Sequence, residues 1–85
     1  MIWITATPNP AHVGDIVTVC YDFIGSGETR PVILNVIYDG AGTGASLRLT
    51  PGSPCTTIVI PKNCTSVLIE DQTGSSGDLV IGVIP

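Results

Sequence analysis

The chain has 85 residues, enough for one domain spanning 1–85 and no second core. Charged residues make up 12% of it and the net charge is −4, with the three basic residues Arg30, Arg48 and Lys62 far apart in sequence; no basic stripe faces phosphates, so nucleic acid and anionic membranes are not expected partners. The 10 glycines and 7 prolines, with abundant Val, Ile and Thr, suit short strands and tight turns rather than helices, and no apolar run reaches the ~18 residues of a membrane span.

Met1 is followed at once by Ile2-Trp3-Ile4, with no basic n-region, so the start does not read as a signal peptide. A first strand is predicted over 2–6, closed by Pro8-Asn9-Pro10. The second, over 14–23, alternates strictly: Val17, Val19, Tyr21 and Phe23 point inward, leaving Ile16, Thr18, Cys20 and Asp22 outward. Gly25-Ser26-Gly27 is the next turn. The third strand, over 31–38, points Val32, Leu34, Val36 and Tyr38 inward and Ile33, Asn35 and Ile37 outward. Asp39-Gly40-Ala41-Gly42 leads to a fourth over 45–50, and Pro51-Gly52-Ser53-Pro54 to a fifth over 55–60. Pro61-Lys62-Asn63 leads to a sixth over 65–71, and Gly74-Ser75-Ser76-Gly77 to a seventh over 78–84. Seven short strands with regular turn signals predict an all-β fold, a seven-stranded immunoglobulin-like β-sandwich with Greek-key connections. An OB-type barrel would need fewer, longer strands. The first and seventh strands, at the chain ends, are expected at sheet edges and open to exchange with a neighbour.

Ala6-Thr7-Pro8-Asn9-Pro10, then Val13-Gly14-Asp15 and the alternating Val17, Val19 and Tyr21, resemble the opening region of bacterial immunoglobulin-like and fibronectin-III-like modules. Thr65-Ser66-Val67-Leu68-Ile69-Glu70-Asp71 and the Gly/Ser turn after it resemble their last hairpin. The resemblance covers most of the chain. It implies the fold and little about function, because such modules serve many unrelated roles.

The two outer faces differ in chemistry. On the sheet of the first, second and fifth strands the outward residues are mostly Thr with one Asp. On the sheet of the third, sixth and seventh strands they include Ile33, Ile37, Leu68, Val80 and Ile84. A monomer rarely exposes so large an apolar patch, so these five residues are a candidate protein–protein interface. The competing readings are a register error in the third or seventh strand, or a loop folded over the face.

Cys20 and Cys55 fall on the outward sets of adjacent antiparallel strands, and pairing them sets Thr18 opposite Thr57 and Ile16 opposite Val59; a Cys20–Cys55 disulfide is expected. It implies maturation in an oxidising setting: extracellular, at a cell surface, or in a virion. Cys64 is left over, either a small buried plug in its turn or a bridge to a second chain. Asn63-Cys64-Thr65 matches the glycosylation sequon. No Cys-pair spacing suggests zinc, and His12, the single histidine, reads as a turn residue. Asp22, Glu28, Glu70, Asp71 and Asp78 gather towards one end of the predicted sandwich, either as solvated loop charges or as oxygen ligands for calcium. No nucleophile–base pair or phosphate loop is apparent, so no enzyme activity and no cofactor are expected. Trp3 is the one aromatic placed to form a platform for sugar stacking.

The expected function is therefore a non-catalytic structural or adhesion module, docking on another protein or on copies of itself through the apolar face. A virion decoration or fibre subunit and a surface-protein module are its two concrete forms. A small carbohydrate-binding module of a secreted protein, using Trp3, is the alternative.

Overall fold

The alternation of apolar and polar residues determines the strands and their inward faces. In the computed structural model, which describes residues 1–73 and 76–85, β1 runs Ile4–Thr7, β2 Ala11–His12, β3 Ile16–Tyr21, β4 Val32–Asp39, β5 Thr43–Leu49, β6 Cys55–Val59, β7 Ser66–Asp71 and β8 Leu79–Ile84. Val17, Val19 and Tyr21 are buried along β3 and Ile16 and Thr18 are exposed, as period-two alternation requires. Gly74 and Ser75, within the Gly/Ser turn predicted before the last strand, lie outside the described residues.

The strands form two sheets, one of three strands in the order β1-β3-β6 and one of five in the order β2-β8-β7-β4-β5. All pairings are antiparallel except β2 with β8. β5 approaches β6 on one side and β1 approaches β8 on the other, so the sheets curl around one core. Leu34, Leu49, Ile60, Ile69, Ile81 and Val67 are among its fully buried side chains. Burying a side chain of this kind contributes roughly 1.5–3 kcal/mol over leaving it in water.

Beyond shifts of a few residues at strand ends, three features depart from the sequence expectation, each for a local reason. The described residues carry eight strands rather than seven, because Ala11 and His12 pair with Val83 and Ile84 after the chain turns through cis Thr7–Pro8 and Asn9–Pro10 bonds. The second predicted strand stops at Tyr21 instead of reaching 23. Asp22 caps a single helical turn, α1 (Phe23–Ser26), by accepting from the Gly25 N–H at 2.8 Å; Gly27, in the left-handed region, closes it. Phe23 is still buried, but as part of that turn, its ring 4.9 Å from that of Tyr21. The last strand is not an edge. β8 lies between β2 and β7, and Asn9 completes its cover: Nδ2 donates to the Val80 carbonyl at 3.2 Å and Oδ1 accepts from the Gly82 N–H at 3.2 Å.

Candidate functional site

The outer face of the five-stranded sheet is built by register. Ile37 on β4 lies opposite Leu68 on β7, and Leu68 lies opposite Val80 on β8. Directly opposed residues on one face stand ~4.5–5.5 Å apart, so these three side chains form one transverse row. Ile37 is 42% exposed and Val80 58%, with Leu68 half-buried between them. On its β5 side the row ends at Gly44, opposite Ile37.

The other two predicted interface residues stand apart from this row. Ile33 lies on the same face of β4, but Asn35 comes between it and Ile37, opposite Glu70 on one side and Ser46 on the other. Ser46 Oγ donates to Asn35 Oδ1 at 3.5 Å. Ile84 is exposed at the far end of β8, beyond Gly82, which lies opposite Ser66. The face is therefore an apolar row of three with Ile33 and Ile84 as outliers across polar or glycine positions.

Two apolar features lie outside the predicted interface. On the outer face of the three-stranded sheet Ile16 and Val59 oppose each other across β3 and β6, as the Cys20–Cys55 register requires, 65% and 56% exposed. Beyond them Thr7, Thr18 and Thr57 form a transverse row, followed by Thr5, Cys20 and Cys55. The second is Ile24, 96% exposed on α1, which no strand periodicity could place.

Cys20 and Cys55 are joined by a disulfide across β3 and β6, with Cα atoms 4.1 Å apart. Cys64 is free and buried; its thiol donates to the Ser66 carbonyl at 3.1 Å, and burial pushes its pKa up. Asn63 is exposed in the turn before β7 with a φ of 64°, while Thr65 Oγ1 donates to the Asp39 carbonyl at 3.2 Å.

Three of the five acidic residues of the predicted loop cluster serve local backbone. Asp22 caps α1; Asp71 accepts from the Thr73 and Ser76 N–H groups. Glu28 Oε1 accepts from the N–H groups of Arg30 and Thr29, which hold its pKa below the usual carboxylate value. Glu70 lies on the outer face of β7, opposite Asn35, and Asp78 is exposed just before β8. Among the described residues no three His, Cys, Asp or Glu side chains converge as metal ligands. His12 is exposed on β2; Asp15 Oδ2 accepts its backbone N–H at 2.9 Å and lies 3.7 Å from its ring Nδ1.

Trp3 precedes β1 and is half-buried against the core. Its N–H donates to Ser76 Oγ at 2.8 Å and its carbonyl accepts from the Asp22 N–H at 2.8 Å, while its ring lies against α1 at Gly25. Tyr21 is buried beneath this corner. Burial first, and the Asp71 charge second, raise its pKa.

No helix among the described residues is long and apolar enough to cross a membrane. Comparison with protein-family models, with curated proteins and with solved structures found no match to this chain.

Proposed function

We propose that this protein is a non-catalytic docking module with an immunoglobulin-like, Greek-key sandwich, working through the outer face of its five-stranded sheet. The observation that carries the reading is the transverse row Ile37–Leu68–Val80, three large aliphatic side chains set side by side on a regular, solvent-facing sheet. Isolated surface aliphatics are ordinary, but a row held in register is a ready surface for burial against another protein. The strand order supports the fold assignment: β4–β5 and β7–β8 are hairpins within one sheet, while β6 returns to the other beside β3. The disulfide favours an extracellular, cell-surface or virion setting. The carbohydrate reading has less to rest on, because the ring of Trp3 is half-buried against α1 and the core.

The test is solution mass by light scattering, with and without reductant, on the wild type and on Ile37→Asp and Leu68→Asp. Association that survives reductant and is lost in both variants supports the reading. Association that reductant dissolves would instead place the contact at a cysteine. If the wild type is monomeric, the same variants are compared for binding to candidate protein partners; equal binding by all three would overturn the reading.

A further inference from the structure

The two sheets present four edges, and three are short or bracketed by proline. β1 has four residues and is followed by Pro8; β2 has two and follows Pro10; β6 has five, with Pro54 before it and Pro61 two residues beyond its end. β5 differs. It is seven residues long, contains no proline, and pairs with β4 in unbroken register from Val32↔Leu49 to Tyr38↔Thr43, so no bulge twists it; it approaches β6 where the sheets curl together, but no ladder joins the two strands. Thr43, Gly44, Ala45 and Ser46 are all exposed, and Arg48 is its single charge. Edges of this length and plainness are templates for another strand, and the usual blocking devices are proline, bulges and inward charges.

The outward backbone groups can be assigned. Ile33 turns its N–H and C=O away from β5, donating to Thr73 Oγ1 and accepting from the Gln72 N–H; Asp39 accepts from Thr65 N–H on that same side. Antiparallel ladders alternate, so Leu34, Val36 and Tyr38 bond to β5 at Leu47, Ala45 and Thr43. The backbone N–H and C=O of Gly44, Ser46 and Arg48 therefore point off the edge of the sheet.

We infer that β5 pairs antiparallel with β5 of a second copy, around a two-fold axis at Ser46. In that register Ser46 faces Ser46 of the partner copy, and Gly44 faces its Arg48. Each outward N–H then meets an outward C=O, and one surface serves both subunits, as a two-fold interface requires. Charge agrees with it. β5 carries none of the acidic residues behind the chain's net −4, and the two arginines sit opposite glycines, roughly 13 Å apart along the strands. The two five-stranded sheets would become one, carrying the Ile37–Leu68–Val80 row of each copy on the same face. The inference stands apart from the docking reading, because it rests on edge backbone groups and not on the face side chains.

The experiment is sedimentation of the full chain over a concentration series to about millimolar, with Ser46→Lys, Ser46→Cys, Ala45→Cys and Leu68→Asp. The wild type should dimerise. Ser46→Lys, which sets two like charges directly opposite at an exposed position, should keep its circular dichroism spectrum and weaken the dimer by ~10-fold or more. Ser46→Cys should give a covalent dimer on mild oxidation, because opposed bonded residues lie ~5.5 Å apart between Cα atoms; Ala45→Cys, on the other face and off the axis, should not. Leu68→Asp should dimerise as the wild type does. A monomer at every concentration would overturn the inference. So would a dimer that Leu68→Asp dissolves and Ser46→Lys leaves intact, or equal cross-linking of the two cysteine variants.

Discussion

Cys20 and Cys55 stand directly opposite one another on β3 and β6, so their disulfide joins neighbouring strands of one sheet rather than the two sheets. The two residues are 35 apart in sequence, and the chain-entropy model assigns a loop of that size ~4 kcal/mol of stabilisation. A domain this small has a total of only ~5–10 kcal/mol. Reduction, or Cys20→Ser with Cys55→Ser, should lower the unfolding free energy by ~3–4 kcal/mol in denaturant titration. A change below ~1 kcal/mol would mean that the unfolded chain is already compact around this pair.

A second dependence lies where two turns touch. Gly40 has φ +85°, and a Cβ there would lie 2.9 Å from the Asn63 carbonyl oxygen and 3.3 Å from Thr65 Oγ1. The Thr65 N–H donates to the Asp39 carbonyl at 2.8 Å, holding the β4–β5 turn against the turn before β7. Gly40→Ala should therefore lose stability twice, through the left-handed backbone and through the contact, by ~2–4 kcal/mol in total. Gly42 shares the backbone requirement, with φ +69°, but has nothing within 4 Å of its Cβ position. Gly42→Ala should cost only ~1 kcal/mol. Thermal unfolding of the two variants side by side checks the difference.

The inward residues of β3, β4 and β7, the all-β class and the Cys20–Cys55 pairing were legible in the sequence because each follows from period-two alternation. Val17, Val19 and Tyr21, Val32, Leu34 and Val36, and Val67 and Ile69 are buried where alternation puts them. What escaped depends on contacts distant in sequence. β2 exists because Ala11 and His12 meet β8, and Asn9 joins it there through its side-chain amide. α1 exists because Asp22 caps Gly25, which a strand ending in Phe23 concealed. The candidate face was half legible. Its members were named from alternation, but separating the Ile37–Leu68–Val80 row from Ile33 and Ile84 needs the pairing register.

Cys64 tests how tightly the turn before β7 is held. The thiol is buried and donates to the Ser66 carbonyl, and burial keeps it protonated past its ordinary value of 9.0. Alkylation at neutral pH should be at least ~100-fold slower in the native protein than in denaturant, and its rate should follow local opening. Fast native alkylation would show a turn that opens freely, and would make Cys64 available to bridge two chains.

Tyr21, Tyr38 and Cys64 set the alkaline limit of the fold. Burial is the leading cause that raises each pKa, from ordinary values of 10.0 for the tyrosines and 9.0 for the thiol. The unfolded chain therefore gives up these protons at lower pH than the folded one. Stability is unaffected below the unfolded values, and falls as pH rises from about 9 through the raised folded values. Tyr21 should contribute strongly, because its anion would be buried and would feel the Asp71 charge. Denaturant unfolding at pH 8, 9.5 and 10.5 should show a midpoint that drops across the series, and Tyr21→Phe should flatten the drop. An unchanged slope in Tyr21→Phe would assign the alkaline loss to Cys64 and Tyr38, and a further Cys64→Ala variant separates those two.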